Sequence, residues 1–365
     1  MHIDIGNEVY YTYPKFKQAR MDCGQGVEKI DGYWFMNVLI TGVTGFVGQA
    51  LYRELRLRQF YLTCVFRKNL GEERLAAQFG ECARYVVGNM DKNTRWSPCL
   101  KEIDQVVHLA GLAHVSPFGP GPDRYGKFFS VNFEGTRNLA EQAARQGVKR
   151  FVFLSSILVN GSRSDTRPFC ETDRANPQNA YAAAKYEAEK SLEKIGAETG
   201  MEVVILRSPL VYGPGVKANF LKLLNLVYAG LPMPLGAIGN KRSFIGLKNL
   251  VDAMCLCLCH DKAANQTFVV SDCEDLSTPR LITTIATAMG RPARLVAVPD
   301  KIMRTGLTFL GRKQIYDRLW GTLQVNPTRI CTRLGWNPPV PLTRGMDEAV
   351  HWYLNNRRHK TRPGK

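Results

Sequence analysis

A glycine-rich turn, Gly42-Val-Thr-Gly-Phe-Val-Gly48, is the feature that most constrains the fold of this 365-residue chain. It follows a short apolar and β-branched run from Asn37 and precedes a helix-compatible segment, residues 49–58. Glycines let a backbone approach a pyrophosphate closely, and the next helix offers N–H groups and the positive end of its dipole. The order strand, glycine turn, helix therefore predicts a dinucleotide-binding α/β fold built on a doubly wound parallel sheet.

A second set of polar residues lies further along the chain. The strand-like run Arg150–Ser156 ends in two serines, and Tyr181 and Lys185 follow at a spacing of four, which places them on one face of a helix. An ammonium group there would lower the pKa of the tyrosine, so that the phenol could exchange a proton with a sugar hydroxyl or ketone. Ser156, Tyr181 and Lys185 are therefore predicted to be the catalytic residues of an oxidoreductase that uses a nicotinamide cofactor.

These motifs together resemble one enzyme family. The TGxxGxxG turn, the strand-end serines and the YxxxK helix occur in the order typical of the extended short-chain dehydrogenase/reductase (NAD-dependent epimerase/dehydratase) family, over roughly residues 37–350. The resemblance implies a Rossmann domain with a smaller α/β substrate domain, and a homodimer. The segments SSILVNG and SPLVYGPGVKANF are most similar to UDP-glucose 4-epimerase-like members, which include 4-keto-reductases of UDP-N-acetyl-6-deoxyhexoses.

Several positions depart from the family pattern. Asn160 replaces the tyrosine of the SSxxVYG motif, and Ala184 replaces the serine before the catalytic lysine, but neither change removes a proton-transfer group. Ile157 and Leu158 stand where the family's 4,6-dehydratases carry an Asp-Glu pair. Because aliphatic side chains cannot perform acid/base elimination, dehydration is not expected.

The resemblance also implies the residues that hold the cofactor. They are Gly42, Thr44, Gly45, Phe46, Val47, Gly48, Arg67, Asn89, Met90, Leu109, Ala110, Gly111, Asn132, Tyr181, Lys185 and Pro209. Arg67 lies about 20 residues beyond the turn, where an NAD enzyme usually places an acid for the ribose 2′-hydroxyl. Since a guanidinium suits a 2′-phosphate, NADP(H) is predicted, with NAD(H) as the alternative.

The stretch Ser208–Phe220 resembles the turn that opens the family's sugar-nucleotide domain. By that resemblance Asn219 and Arg242 would contact the substrate diphosphate, which a guanidinium can bind bidentately. With Ser156 they form the predicted substrate-binding set, and the expected partner is a UDP-linked sugar. The alternatives are that Asn219 caps a helix and that Arg242 is a surface loop residue.

The chain is predicted to have four parts. Residues 1–35 form a peripheral extension, residues 36–207 with about 240–270 the NAD(P)-binding Rossmann domain, about 208–239 with 271–350 the substrate domain, and 351–365 a basic tail. Met36, directly before the first strong strand, is also consistent with an upstream start added to the chain. Residues 301–320 are amphipathic and basic, and are expected either to pack on the substrate domain or to touch a membrane surface.

The net charge of +17 is the unusual feature of the composition. The basic residues are scattered through predicted helices, not gathered in an arm with interleaved aromatics, so nucleic-acid binding is not expected. Polyanionic ligands and a nearby anionic membrane are two candidate reasons for the charge. Ten cysteines without a CxxC pair and six histidines without an HxxxH motif give no metal site, and they indicate buried thiols in a cytoplasmic protein.

Three functions remain open from the sequence. The sequence favours 4-keto reduction of a UDP-2-acetamido-2,6-dideoxyhexos-4-ulose for surface polysaccharide biosynthesis, with Tyr181 as proton donor. The first alternative is a UDP-hexose 4-epimerase that retains NAD. The second is a non-catalytic NADP(H)-binding protein, against which the intact Ser156, Tyr181 and Lys185 set argues.

Overall fold

The computed structural model describes residues 36–69, 71–80, 82–113, 124–164, 166–309, 311, 316 and 319–361, together with four short strands before residue 36. The strands are β1 (His2–Asp4), β2 (Val9–Tyr11), β3 (Lys29–Ile30), β4 (Tyr33–Trp34), β5 (Asn37–Thr41), β6 (Tyr61–Phe66), β7 (Ala83–Val86), β8 (Gln105–His108), β9 (Arg150–Ser156), β10 (Glu202–Ser208), β11 (Leu210–Tyr212), β12 (Arg242–Gly246), β13 (Gln266–Val269) and β14 (Asp275–Leu276). The α-helices are α1 (Phe46–Leu57), α2 (Glu72–Phe79), α3 (Arg124–Phe129), α4 (Gly135–Arg145), α5 (Ala180–Thr199), α6 (Ala218–Ala229), α7 (Leu247–Cys259), α8 (Thr278–Ala288), α9 (Asp300–Phe309), α10 (Thr328–Leu334) and α11 (Leu342–Thr361).

The large sheet has the predicted doubly wound arrangement. Seven strands in the order β7-β6-β5-β8-β9-β10-β13 form a parallel sheet flanked by helices. Beyond β7 the sheet continues with β2, which pairs antiparallel with β7, and β1, which pairs antiparallel with β2. The strand order reverses between β5 and β8, and sheets of this kind bind ligands at the carboxyl ends of their strands beside such a switch point. The predicted Rossmann-type fold class is confirmed.

Apolar sequence explains why the central strands are buried. Val38, Leu39 and Ile40 on β5 have no exposed surface, as expected for a parallel strand covered on both faces. The core cluster that contains Leu39 also includes the fully buried aromatic side chains of Phe151 and Phe153 on β9. Burying a large apolar side chain stabilises a fold by roughly 1.5–3 kcal/mol. The carboxyl ends of β5, β8 and β9 are therefore held on a rigid core.

Internal contacts divide the chain into two compact units. Unit 1 comprises Met1–Val159, Pro177–Leu206 and Met254–Thr267, and unit 2 comprises Asn160–Asn176, Arg207–Ala253 and Phe268–Lys365. The sequence placed residues 240–270 wholly in the Rossmann domain. In the structure β12 instead pairs with β11 and β14 in a separate three-stranded sheet of unit 2, whereas β13 lies at the edge of the large sheet.

A buried carboxylate, Asp272, organises unit 2. It accepts hydrogen bonds from the Tyr212 hydroxyl at 2.7 Å, the Gly246 N–H at 2.8 Å and the Asn249 side-chain amide at 2.7 Å. Burial raises the pKa of Asp272, and these hydrogen bonds act in the opposite direction. Because its partners lie on β11, β12 and α7, this one side chain joins the small sheet to the start of a helix.

Helix termini follow the expected capping chemistry. The Asn179 side chain accepts the Ala182 N–H at 2.9 Å at the start of α5, and the Ser277 side chain accepts the Arg280 N–H at 3.2 Å at the start of α8. A proline lies in the first turn of α8, where a backbone N–H would have no partner within the helix. The cap of α5 fixes where the helix that carries Tyr181 and Lys185 begins.

Two expectations from the sequence, the buried cysteine thiols and the amphipathic segment at residues 301–320, can be compared with the structure. Nine cysteines lie in its described part, all of them free thiols, and Cys64, Cys82, Cys99, Cys255 and Cys257 are buried. Helix α9, in the predicted amphipathic segment, has no buried side chain. Within the described ranges we find no helix with both the length and the apolar character required to traverse a bilayer.

Candidate active site

The glycine turn joins β5 to α1 beside the switch point of the sheet. Gly42 has φ +72°, and a β-carbon on it would lie 2.6 Å from the backbone N of Ala110, after β8. A β-carbon on Gly48 would lie 2.2 Å from the carbonyl oxygen of Gly42. Any larger residue at either position would force the turn open. The two glycines therefore keep the loop compact where the backbone must come close to a ligand.

The start of α1 fits the phosphates of a dinucleotide. Its N-cap residue, Gly45, provides no side-chain acceptor, and its first turn holds no acidic residue. The N–H groups and the positive end of the helix dipole suit an anion there. The turn residues predicted to bind cofactor are partly or fully exposed apart from the buried Gly48: Gly42, Thr44, Gly45, Phe46 and Val47.

The segment after β8 is fixed on both sides by side chains. The Ala110 N–H donates to Thr41 Oγ1 at 3.2 Å, and Leu112 exchanges two hydrogen bonds with the Asn132 side chain, at 2.8 and 2.9 Å. Asn132 is fully buried in a π-helical turn, Ser130–Glu134, and such turns are frequent at functional sites. The segment held in this way contains the predicted cofactor contacts Leu109, Ala110 and Gly111.

A buried histidine connects this segment to α4. His108 Nδ1 lies 2.6 Å from Thr41 Oγ1, and its Nε2 lies 3.0 Å from Thr136 Oγ1. Burial, and to a lesser extent the Lys185 ammonium, lowers the pKa of His108 to about 3. The ring is therefore neutral at physiological pH and acts as a structural link between strands and helix.

The structure brings together two of the predicted catalytic residues. Ser156 ends β9, Tyr181 lies in the first turn of α5, and the Ser156 hydroxyl is near enough to the phenol to lower its pKa against the effect of burial. Ser156 Oγ also accepts the Leu158 N–H at 3.3 Å, so the serine's own hydrogen is available for the phenol oxygen. The pair can therefore share the oxygen atom of a substrate hydroxyl or ketone.

Tyr181 differs from the expectation in its acidity. Burial raises the pKa of Tyr181 above its ordinary value, and the hydrogen bond with Ser156 acts in the opposite direction. The sequence predicted that the lysine one turn away would lower this pKa. The lysine ammonium is instead directed at the Leu154 carbonyl, so burial dominates and the phenol keeps its proton at neutral pH.

Lys185, the third predicted catalytic residue, is only 4% exposed. Its Nζ donates to the carbonyl oxygen of Leu154 at 2.9 Å and lies 4.3 Å from the centroid of the Phe153 ring, a cation–π contact. Burial lowers the pKa of Lys185 to about 8, and the Glu189 carboxylate acts in the opposite direction. The ammonium form therefore predominates at neutral pH and is lost above about pH 8.

The residues expected near the adenosine end of the cofactor divide into exposed and buried ones. Arg67, directly after β6, and Asn89 are exposed, as an electrostatic or hydrogen-bonding contact with a ligand requires. Met90 is 8% exposed and belongs to the core cluster, where it packs against Gly135 of α4. Its side chain therefore stabilises the fold, and only its backbone is suited to the predicted cofactor contact. Pro209, in unit 2, is buried.

The two predicted phosphate-binding residues of the substrate lie in unit 2. Asn219 is exposed in the first turn of α6, whose N-cap position is taken by Lys217, so the alternative interpretation as a helix cap is wrong. Arg242 begins β12, is partly buried, and donates to the Gly321 carbonyl at 2.9 Å. It is therefore a strand residue and not a surface loop residue. Burial lowers the pKa of Arg242.

Asn160, which replaces the family's tyrosine, has a structural role. Its Oδ1 accepts a hydrogen bond from the Arg207 guanidinium at 3.1 Å, and its Nδ2 donates to the Cys170 carbonyl at 3.0 Å.

A second pair of residues was not predicted from the sequence. The buried side chains of Ser155 and Glu189 are hydrogen-bonded to each other. The spacing of four between Lys185 and Glu189 was the available signal, because it places both on one helix face.

A Rossmann-type sheet, a glycine turn suited to a dinucleotide, and Ser156, Tyr181 and Lys185 on β9 and α5 are the features predicted for a nicotinamide-dependent oxidoreductase. The chain belongs to the NAD dependent epimerase/dehydratase family, whose sequence profile matches residues 38–271. The family resemblance stated from the motifs is therefore confirmed. The protein is therefore an enzyme of the epimerase/dehydratase type.

Similar proteins include several epimerases. A UDP-glucose 4-epimerase from Vibrio cholerae is 40% identical over 325 residues, which cover 88% of this chain and 97% of the relative. An Escherichia coli O157:H7 N-acetyl-alpha-D-glucosaminyl-diphospho-ditrans,octacis-undecaprenol 4-epimerase is 24% identical over 87% of this chain and 95% of its own length. A solved UDP-glucuronic acid 4-epimerase from Bacillus cereus, in complex with NAD, shares the fold with a TM-score of 0.71 at 19% identity, over 90% of this chain and 99% of that one.

Proposed function

We propose that this enzyme inverts C4 of a UDP-linked hexose by oxidising the C4 hydroxyl and reducing the resulting ketone from the other face. The observation that carries the proposal is the placement of Ser156 at the end of β9 and of Tyr181 and the buried Lys185 on one face of α5. The 40% identity with a UDP-glucose 4-epimerase supports the hexose and the net reaction. The 4-keto reduction favoured by the sequence alone becomes the second candidate.

Ser156, Tyr181 and Lys185 each have a separate role in the proton transfer at the C4 oxygen. Ser156 donates a hydrogen bond to that oxygen. Because burial keeps Tyr181 protonated in the free enzyme, the phenol must first release a proton; the phenolate then takes the C4 hydroxyl proton during oxidation and returns it during reduction, while the Lys185 ammonium one helical turn away supplies positive charge to the site. A nicotinamide dinucleotide, held by the glycine turn, supplies hydride exchange when bound. Ile157 and Leu158 offer no acid or base for loss of a neighbouring hydroxyl, so the sugar keeps all its oxygens.

Two measurements on the purified protein test the proposal. The first identifies by mass spectrometry any nicotinamide cofactor released on denaturation. The second follows UDP-glucose and UDP-N-acetylglucosamine by proton NMR without added cofactor. Bound NAD together with interconversion at C4 is the expected result. Stoichiometric NADPH consumption with a UDP-4-keto-6-deoxy sugar, without interconversion, would instead establish the reductase, and no turnover of either kind would support a non-catalytic binding protein.

The reductase is kept as a candidate because of Arg67. Its exposed guanidinium directly after β6 suits the 2′-phosphate that distinguishes NADP(H) from NAD(H). An enzyme that uses NADPH and releases it oxidised performs net reduction, whereas an epimerase regenerates its cofactor in each cycle. Cofactor choice therefore separates the two candidates. The predicted homodimer and the membrane contact are further proposals that neither reaction requires.

Replacing Arg67 with alanine tests the cofactor directly. If the guanidinium binds a 2′-phosphate, Arg67→Ala should weaken NADP(H) binding about 10- to 100-fold, because hydrogen bonds to charged groups contribute about 1.5–3 kcal/mol. NAD(H) binding should change less than about threefold. Lys68→Ala, which removes the next exposed cation, is the control. Equal effects on the two cofactors, measured by isothermal titration calorimetry, would show that Arg67 does not select between them.

A further inference from the structure

Three successive residues at the end of β9 interact with three residues spaced by four on α5. The Leu154 carbonyl accepts from Lys185 Nζ at 2.9 Å, and the Ser155 hydroxyl donates to Glu189 Oε1. The Ser156 hydroxyl lies near enough to Tyr181 to lower the pKa of the phenol. Residues spaced by four lie on one helix face, so a single row of α5 side chains is attached to one strand end.

Glu189 is the member of this row that the proposed reaction does not use. It is 1% exposed and Ser155 is 3% exposed, so the pair is shielded from water. A buried carboxylate is costly unless it is hydrogen-bonded or paired with a charge. Here the hydroxyl of Ser155 provides the hydrogen bond, and Lys185, one helical turn earlier, provides the opposite charge.

Among the groups around Lys185, the Glu189 carboxylate is the one that favours the charged form of the lysine. From β8, the buried His108 ring faces the lysine but is neutral, because its pKa is lowered to about 3. From β9, the Phe153 ring lies 4.3 Å from Nζ, and on α5 itself Tyr181 keeps its proton. Burial disfavours the lysine's charge, whereas Glu189 favours it.

We propose that Glu189 is a positioning residue: through Ser155 it fixes the end of β9 against α5 so that Ser156 stays beside Tyr181, and its negative charge lies one helical turn from the Lys185 ammonium. The proposal rests on the proton transfer described under the proposed function. It does not depend on whether the net reaction is epimerisation or reduction, because both use the same three residues.

Matched variants separate the two parts of this role. Glu189→Gln keeps a hydrogen-bond acceptor but removes the charge, and Ser155→Ala keeps the charge but removes the donor. We expect Glu189→Gln to move the alkaline limb of the kcat–pH profile about one unit lower. Ser155→Ala should lower kcat about tenfold with KM within twofold and leave that limb in place, and Ser155→Thr should restore kcat.

The control is Glu187→Gln on the same helix, which removes a surface ion pair with Lys190 at 2.8 Å and should behave as wild type. Thermal unfolding of every variant separates misfolding from mispositioning. If Glu189→Gln and Ser155→Ala fold and keep the wild-type kcat and pH profile, the proposal is wrong. The proposal is also wrong if the lower kcat of each variant is fully explained by its smaller fraction of folded protein.

A readout without substrate keeps this proposal distinct from the proposed function. Cyanate carbamoylates deprotonated amines, so the pH dependence of Lys185 labelling, followed by mass spectrometry, measures the lysine's pKa directly. The midpoint should lie near pH 8 in the wild type and about one unit lower in Glu189→Gln. An unchanged midpoint would overturn the charge role of Glu189. Absence of turnover of both UDP-sugars by the wild type would refute only the proposed function.

Discussion

Replacing Tyr181 with phenylalanine should lower kcat by about three orders of magnitude, because a positioned acid/base typically contributes 10²- to 10⁴-fold. The change removes only the hydroxyl that contacts Ser156 and leaves the ring, which packs edge-on against Phe128. Cofactor binding and thermal unfolding should therefore stay close to wild type. Single-turnover kinetics with the true substrate would measure the loss at the chemical step itself.

The matched control is Tyr186→Phe, on the same helix. The Tyr186 ring lies under the Lys190 ammonium at 5.1 Å, so its hydroxyl is not part of the Ser156 pair. This variant should keep wild-type kcat and KM. Undiminished turnover in Tyr181→Phe would show that another group moves the proton, and it would remove the main support for both candidate reactions.

Replacing Gly48, the third glycine of the turn, with alanine should have the largest effect on cofactor affinity. In Gly48→Ala the new β-carbon would lie 2.2 Å from the Gly42 carbonyl oxygen, a backbone atom that cannot move without opening the turn. Overpacking of this kind costs about 1–3 kcal/mol, and the upper end corresponds to about 100-fold in an equilibrium constant. We expect purified Gly48→Ala to unfold at lower temperature and to bind nicotinamide cofactor about 100-fold more weakly.

Gly239→Ala serves as the comparison for that variant. An added β-carbon at Gly239 meets no atom within 4 Å, and the backbone there needs no left-handed conformation. Its unfolding temperature and cofactor affinity should match the wild type. Normal cofactor binding by Gly48→Ala would show that the close approach of α1 to the turn is not required to form the cofactor site.

The parts of the site that the sequence predicted correctly depend on local spacing. The glycine turn lies between a strand and a helix as expected, and β9 spans Arg150–Ser156, the predicted strand. The spacing of four between Tyr181 and Lys185 places them on one face of α5. Such patterns are visible because strand alternation and helix periodicity are properties of neighbouring residues.

The parts that were missed depend on contacts between distant segments. Ser155 and Glu189 are 34 residues apart; the helix spacing places Glu189 on the face of Lys185, but it does not indicate which strand residue the carboxylate meets. The raised pKa of Tyr181 depends on burial that only the packed structure provides. The sequence likewise did not indicate that residues 242–246 form a strand, or that this strand pairs in the smaller sheet.

The order of strands in the large sheet has a consequence for synthesis on the ribosome. The central strands β5, β6, β8 and β9 are complete once Ser156 has emerged, but the edge strand β13 begins only at Gln266. At roughly 5–20 residues per second, those 110 residues take about 5–20 s to translate. During that interval β10, once made, has an open edge that β13 will later cover, and exposed strand edges invite pairing with other chains. Slower-growing, cooler cultures and chaperone co-expression should therefore improve the soluble yield of this enzyme.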